Sequence, residues 1–506
     1  MNEEYLVLGV IALYFVSVFG VGALASRGQQ ATREEYVAGN RSLGLVVMYF
    51  LMGGAVFSAF AFLGGPGWAY SKGAASFYIL AYSALGILPW WLWAPRTWMA
   101  GKKFGYVTQA QLIRGRFNSR LLSVMVAIVT ILAFVQYVTV QMKASGYILE
   151  LASNGLIPFW AGSLIAYIVV VLYVFLGGLR SVAWTNVFQG AFMIITAWVL
   201  GLYFVYALYD GPADMFQRIA EEVPSHLLIG PGSSMGYGEY SSIMIISILG
   251  FTMWPHLFMK AYAARSPKTL KQMIVIYPTF SIFLVPVLFI GFAGVLQVSP
   301  IELGDVDRIL PWMFTNAGFH PLAIGLVLAA ALAAAMSTQD TVTHAAGSVF
   351  VEDIVKASSR KHDSENPESA AHDRTLIRLA VVLFGFASYM IAIVGGQTLV
   401  SLLVGAYGSI VQIFPLIAAT FFWRRATAAG ATAGFIVGTI IYYGMVFGFV
   451  PGFYDLHPGL VGLVINIVII FVVSILTKPM DCAHVSQFIN ILEHDESSIN
   501  SNRNHR

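Results

Sequence analysis

The chain has 506 residues, of which 58% are hydrophobic and only 10% charged, with a net charge of +3 and a mean hydropathy of +0.75. A water-soluble chain carries about 25% charged residues, so this composition excludes a water-facing surface over most of the molecule. No basic block is present, which sets a nucleic-acid partner aside, and the single cysteine, Cys482, can form neither an internal disulfide nor a cysteine-rich metal site.

The first apolar run covers residues 5–25 and ends in Ala23-Leu24-Ala25, which looks like a signal-peptide cleavage site. Its leader carries Glu3 and Glu4 and no basic residue. The run also exceeds the roughly 7–15 residues of a signal-peptide core. It is expected to remain as the first transmembrane helix. A bilayer crossing needs about 20 apolar residues. Thirteen segments meet that length, here called spans 1 to 13: 5–26, 45–71, 76–95, 121–152, 157–178, 182–209, 241–262, 272–296, 319–349, 376–396, 398–422, 427–449 and 459–477.

Basic residues set the orientation, because cytoplasmic loops hold an excess of Lys and Arg. With the N-terminus outside, 24 of the 28 basic residues fall in inner segments, among them Arg41, Arg116, Arg180, Lys260 and Arg424. Three, Lys72, Arg218 and Arg308, fall outside, and Lys143 falls within a span. The C-terminus is then inside, and a cell-membrane location is expected. Residues 1–477 form one transmembrane domain, and 478–506 form a cytoplasmic polar tail. Val485, Phe488, Ile489 and Leu492 in the tail fall at helical spacing. That stripe either lies on the membrane surface or docks on the bundle. The tail histidines His484, His494 and His505 read as solvated side chains rather than a metal cluster. No segment has the length of a soluble catalytic domain.

Two spans read as interrupted. Span 2 carries Gly53-Gly54 and then Gly64-Gly65-Pro66-Gly67; span 7 carries Gly250 and then Trp254-Pro255-His256. Proline removes an amide donor and clashes with the preceding turn. Interrupted helices in corresponding halves point to a transporter's binding site. Spans 2 and 7 lie five helices apart and so cross in opposite directions, as an inverted repeat requires. The repeats are expected at about 45–209 and 241–422.

Several motifs then stand in order along the chain. Glu35-Tyr36-Val37-Ala38-Gly39-Asn40-Arg41-Ser42-Leu43 precedes span 2, and Gly64-Gly65-Pro66-Gly67 with Tyr70 lies within it. Tyr106-Val107-Thr108 precedes Arg116-Phe117, and Gly177-Gly178-Leu179-Arg180-Ser181-Val182 leads to Trp184-Thr185-Asn186 and Gln189. Ala333-Ala334-Ala335-Met336-Ser337-Thr338 and Glu352-Asp353 close the series. In this order the chain resembles the sodium:solute symporter family over nearly all its length to residue 477. The resemblance implies an all-α LeuT-type fold and sodium-driven symport of a small solute, with sodium as the coupling ion and no other cofactor. No obligate protein partner is evident.

By position, the resemblance also implies a sodium site made of the carbonyls of Gly54, Phe57 and Ala334 and the hydroxyls of Ser337 and Thr338. Relatives usually carry Asp where this chain has Asn186. Asp340, one turn beyond the Ser337-Thr338 pair, is an intramembrane carboxylate, and such residues are functional candidates by default. The negative charge is expected to have moved from span 6 to span 9, giving a possible second ion site of Asp340, Asn186 and Thr341. The alternatives are that Asp340 faces an inner water cavity or pairs with His344.

Relatives bind solute between the breaks of spans 2 and 7, with help from spans 4 and 11. The matching positions are Phe57, Phe60, Ala61, Gln136, Gln141, Lys143, Trp254 and His256. Phe60 and Ala61 stand where sugar-transporting relatives have polar side chains, which disfavours a hexose. The pattern looks most like the monocarboxylate and pantothenate branches, with proline permeases next. Lys143 either neutralises a solute carboxylate or snorkels to the outer surface. Other readings are a proton-coupled symporter of the same fold, a transporter-like sensory module, and a channel. An enzyme is disfavoured, since no nucleophile–base pair or metal set is evident.

Overall fold

In a computed structural model the described residues are 3–27, 37–316, 318–356, 367–394 and 399–492. Glu35 and Tyr36 of the first motif, and His494 and His505 of the tail, lie outside them. The described residues are helical, and their only β-type contact is an isolated bridge between Leu43 and Ala264. Eleven helices are long and apolar enough to cross a bilayer, or twelve counting the bent pair Leu45–Val56 and Phe60–Leu85 as one span. The chain is therefore a multi-pass membrane protein.

Gly73, at φ 58° and ψ −130°, ends the span 2 helix Gly65–Lys72. The expected span 3 then follows in short pieces, the 3-10 turn Gly73–Phe77 and the helix Tyr78–Leu85. A turn over residues 86–89 intervenes before Trp90–Phe104. The turn keeps helix-like bonds, Gly86 to the Tyr82 carbonyl, Leu88 to Leu85 and Trp90 to Ile87, so the pieces follow one another although each alone is shorter than the bilayer requires. Spans 5 and 6 join in one helical run, Phe159–Leu208, bent at Gly178, where φ is 49°.

Both expected interruptions occur, but in span 2 the responsible residues differ. Gly53 and Gly54 sit inside the helix Leu45–Val56, and the chain bends by 58° after it. Gly64–Gly67 are helical as well, in a π-turn over Phe60–Gly64 and the helix Gly65–Lys72. The paired glycines permit close approach on two sides. A Cβ on Gly53 would meet the Phe280 ring at 2.2 Å, and one on Gly54 would meet Asn186 Oδ1 at 2.4 Å. In span 7 the helix Tyr237–Phe251 stops, and Pro255 opens a new turn, as its missing amide allows.

Spans 12 and 13 meet through small residues. A Cβ on Gly434 would fall 2.4 Å from Ile470 and 2.7 Å from the Asn466 carbonyl. Such contacts drive helix association where lipid removes the hydrophobic term. The tail stripe docks on the bundle. In the helix Cys482–Ile489, Val485 and Phe488 are buried, and Phe488 stacks on Phe104 at 5.3 Å. Arg116, counted by sequence as a loop cation, is buried beneath it, donating to the carbonyls of Trp423 and Ala426.

Candidate functional site

The break in span 2 leaves backbone groups that the helix cannot pair. Residues from spans 4 and 9 meet them. Gln141 Oε1 accepts the Ala59 amide at 3.0 Å, and Ser58 Oγ accepts the Phe60 amide at 3.1 Å. On the other side, the Ser337 hydroxyl donates to the Gly54 carbonyl at 2.8 Å and to the Ala334 carbonyl at 3.2 Å. The Thr338 hydroxyl donates to the carbonyls of Gly54 and Ala55, each at 3.3 Å. Four of the five oxygens expected in the sodium shell thus lie against one another. A hydroxyl has lone pairs as well as a proton. With its proton turned away, each hydroxyl has an oxygen that can face a cation. The fifth oxygen, the Phe57 carbonyl, lies at the break, but the Phe57 ring points away and stacks on Phe280 at 5.3 Å.

Beside this shell stands Asp340, fully buried. It accepts hydrogen bonds from Tyr173 at 2.8 Å, Thr185 at 3.2 Å and Asn186 at 3.2 Å. Thr341 adds a fourth at 3.1 Å. Asp340 on span 9 therefore touches the residue that stands in place of the relatives' Asp on span 6. Asn186 Oδ1 is buried without a protein donor and faces Gly54. Asp340, Asn186 and Thr341, the trio expected as a possible second ion site, are contiguous. Tyr173 completes it from span 5, and no pattern in the sequence marked that residue.

The expected solute residues divide into three groups. Trp254 and His256 form an aromatic cluster with Tyr137, whose ring centroid lies 4.9 Å from Trp254 and 5.7 Å from His256. Tyr407 packs against Trp254 at 5.5 Å, and Phe60 joins through Tyr82. Ala61, buried, follows Phe60 in the same π-turn. The buried His256 ring lies by the Ala55 backbone at the end of the first half of span 2, outside close hydrogen-bond geometry. Gln141, bound to the Ala59 amide, supports the break rather than the cluster. Phe57 belongs to an aromatic group with Tyr277, Phe280 and Phe283, which reaches the cluster less directly, from Tyr277 through Phe251 to Tyr82. Gln136 is only half-buried, on a different face of span 4 from Tyr137.

Lys143 is buried rather than snorkelling, and lies 5.9 Å from the Tyr147 ring. That places it in an outer polar group. Tyr147 donates to Asp305 at 3.0 Å, and Arg308 pairs with Glu150 at 3.1 Å. Asp307 is fully buried there and accepts the Leu399 amide at 2.7 Å. Burial pushes the Asp307 carboxyl up to about 7, against the opposing effects of the Leu399 amide and Lys143. Sequence reasoning singled out neither Tyr137, Tyr407 nor Asp307. The aromatic positions read as ordinary core residues of apolar spans.

Two helices broken opposite one another, a shell of oxygens between broken and intact helices, and a surrounding bundle of bilayer-length helices define a membrane transporter rather than an enzyme. Residues 36–438 match the model of the sodium:solute symporter family. The chain belongs to the sodium:solute symporter family. Uncharacterized symporter YhjB of Bacillus subtilis (strain 168) is 32% identical over 500 residues, covering 96% of this chain and 100% of that protein. Sodium/proline symporter 2 of Staphylococcus saprophyticus is 26% identical over 484 residues, covering 90% of this chain and 91% of that one. Among solved structures, a Na+-coupled sialic acid symporter in a substrate-bound outward-open state aligns with a TM-score of 0.76 at 20% identity, covering 94% of this chain and 98% of that chain. Mhp1, a nucleobase-cation-symport-1 family transporter, aligns with a TM-score of 0.56 at 15% identity, over 90% and 98% of the two chains. The LeuT-type fold is the one these structures share.

Proposed function

We propose that this chain is a sodium-coupled symporter that carries a small organic solute across the plasma membrane. The observation that carries the reading is the convergence of the Ser337 and Thr338 hydroxyls on the Gly54 carbonyl at the end of the first half of span 2. Sodium needs several oxygen ligands, and unwound carbonyls with hydroxyls supply them. The proposed shell is Gly54, Phe57, Ala334, Ser337 and Thr338. Asp340, with Asn186 and Thr341, supplies the negative charge that relatives place on span 6. In this reading the N-terminus is outside, the C-terminus is inside, and the repeats pair spans 2–6 with spans 7–11.

The solute sits against Trp254, His256, Phe60, Ala61 and Tyr137. An aromatic wall with one imidazole suits a small, partly apolar molecule with one or two polar groups. A monocarboxylate or pantothenate-like acid fits first, then proline or another amino acid. The family membership and the similarity to sodium/proline symporters support the coupling and the size of the solute. Uptake into proteoliposomes with and without an inward sodium gradient tests the proposal, using pyruvate, lactate, acetate, pantothenate, proline and a hexose. Sodium-stimulated uptake of one acid or of proline is expected. Uptake driven by protons alone would overturn sodium coupling and make Asp340 the proton site. In Asp340→Asn, half-saturating sodium is expected to rise, and an unchanged value would remove Asp340 from the ion pathway.

A further inference from the structure

The helix Pro267–Ile276 opens span 8 at the end of the bundle that carries the Lys and Arg excess. Lys268, Lys271 and Val275 fall at i, i+3 and i+7 and so share one face of it. All three are exposed. With Trp91 from the helix Trp90–Phe104 and Leu45 from the helix Leu45–Val56, that face walls an open groove of about 600 Å³. Small-molecule sites occupy about 300–1,000 Å³.

The groove changes character along the helix. Lys268 and Lys271 stand at one end of it, and Val275 and Ile276 at the other. From Lys268 to Val275 the helix rises about 10 Å, more than the roughly 5–8 Å depth of the headgroup layer on each side of a bilayer. The face therefore passes from headgroup to hydrocarbon. Trp91 marks the boundary: its ring lies 5.2 Å from Lys271 Nζ and is 43% exposed, and tryptophan favours that level of a membrane. Other cations at this end are held by the protein. Arg41 donates to the Gly101 carbonyl at 3.0 Å, Arg425 donates to the Ile475 carbonyl at 2.9 Å, and Lys356 pairs with Glu352 at 3.0 Å. Among the described residues Lys268 and Lys271 make no ion pair, and no carboxylate lines the groove. Two ammonium groups without counter-charge, above an apolar wall, are complementary to a phosphate carried on acyl chains.

We propose that this groove binds one anionic phospholipid, its phosphate between Lys268 and Lys271, its glycerol beside Trp91 and an acyl chain along Val275, Ile276 and Leu45. Basic pockets between transmembrane helices hold such headgroups. The proposal is independent of the sodium site. The purified full chain in neutral detergent tests it, with phosphatidylglycerol, phosphatidylcholine of the same acyl chains, and soluble glycerol phosphate as probes. Native mass spectrometry reads the retained lipid, and thermal denaturation reads the gain in stability. The wild type is expected to retain one phosphatidylglycerol in preference to phosphatidylcholine and to unfold at a higher temperature with it. In Lys268→Gln/Lys271→Gln the affinity for phosphatidylglycerol is expected to fall about 30-fold, the worth of two lysines beside an anionic headgroup. Lys268→Arg/Lys271→Arg is expected to keep it. Lys102→Gln/Lys103→Gln removes as much charge from exposed positions at the same end, outside the groove, and is expected to leave the affinity unchanged.

Equal retention of the two lipids would overturn the proposal. So would equal losses in the two glutamine pairs, since the attraction would then come from general charge and not from the groove. Glycerol phosphate that stabilises the wild type as well as the lipid does would make this a site for free anions and overturn the lipid. Should Lys268→Gln/Lys271→Gln give little folded protein, Lys271→Gln alone carries the test, with an expected loss of about fivefold; an unchanged affinity there would overturn the proposal.

Discussion

Gly54→Ala probes the ion shell without removing any of its oxygens. The helix conformation at Gly54 suits alanine, so the effect comes from the added methyl. Its carbon would lie 2.4 Å from Asn186 Oδ1 and 3.2 Å from Asn186 Cγ, whereas ordinary contact begins at 3.4 Å. Either spans 2 and 6 part by about 1 Å, in an interior packed too densely to absorb it freely, or the Asn186 side chain turns and gives up its bonds to Val182 and Asp340. Overpacking of this kind costs about 1–3 kcal/mol. The displaced group is the carbonyl that takes the Ser337 and Thr338 hydroxyls. If the strain falls on the sodium-bound state, half-saturating sodium rises roughly 5- to 150-fold. The assay is sodium-dependent uptake at saturating solute, normalised to folded transporter. Asn186→Ala removes the opposing atoms, so Gly54→Ala is expected to cost much less in that background. The interaction between the two changes should exceed about 0.5 kcal/mol, as for residues in contact. A normal sodium curve in Gly54→Ala, or equal costs in both backgrounds, would refute the reasoning.

Three further outcomes follow from other parts of the molecule. Trp254→Ala should weaken solute affinity at least about tenfold, by removing a buried aromatic anchor, while sodium binding without solute stays normal; Trp254→Phe should retain most of the affinity. The Asp307 carboxyl, raised to about 7 by burial, titrates near 3.9 when unfolded. Between about pH 4 and 7 the folded chain then holds a proton that the unfolded chain lacks, so stability falls as pH rises through that window; thermal denaturation in detergent should show this slope flattened in Asp307→Asn. Phe488→Ala removes a buried ring stacked on Phe104, a loss of about 3–5 kcal/mol in a well-packed core. The tail helix should undock, and proteolysis after residue 477 should become faster than in the wild type.

Much of the architecture was legible because a bilayer imposes simple rules. Apolar length marked thirteen segments, and among the described residues eleven helices reach bilayer length, or twelve counting the bent pair. Span 3 is a string of shorter helices parted by a turn over residues 86–89, which average hydropathy reads as one continuous run. Pro255 located the break in span 7, since a missing amide and a fixed φ act locally. In span 2 the same reasoning pointed to Gly53 and Gly54, which serve close packing instead. A glycine's sequence does not say whether it bends a helix or admits a neighbour.

The sequence by itself determined what depends on local chemistry: a chain too poor in charge for water, helices of bilayer length, an interrupted span 7, and the oxygen-bearing Ser337 and Thr338. Tertiary structure alone decided which side chains share a space. It set Asp340 against Asn186 and Tyr173, separated Lys143 and Gln136 from the Trp254 cluster, and turned Lys260 from a loop cation into a buried one. These partners lie on different helices, up to 167 residues apart for Tyr173 and Asp340. Helix periodicity fixes the faces of one helix, but the rotation and height of its neighbours follow from packing, which no single segment encodes.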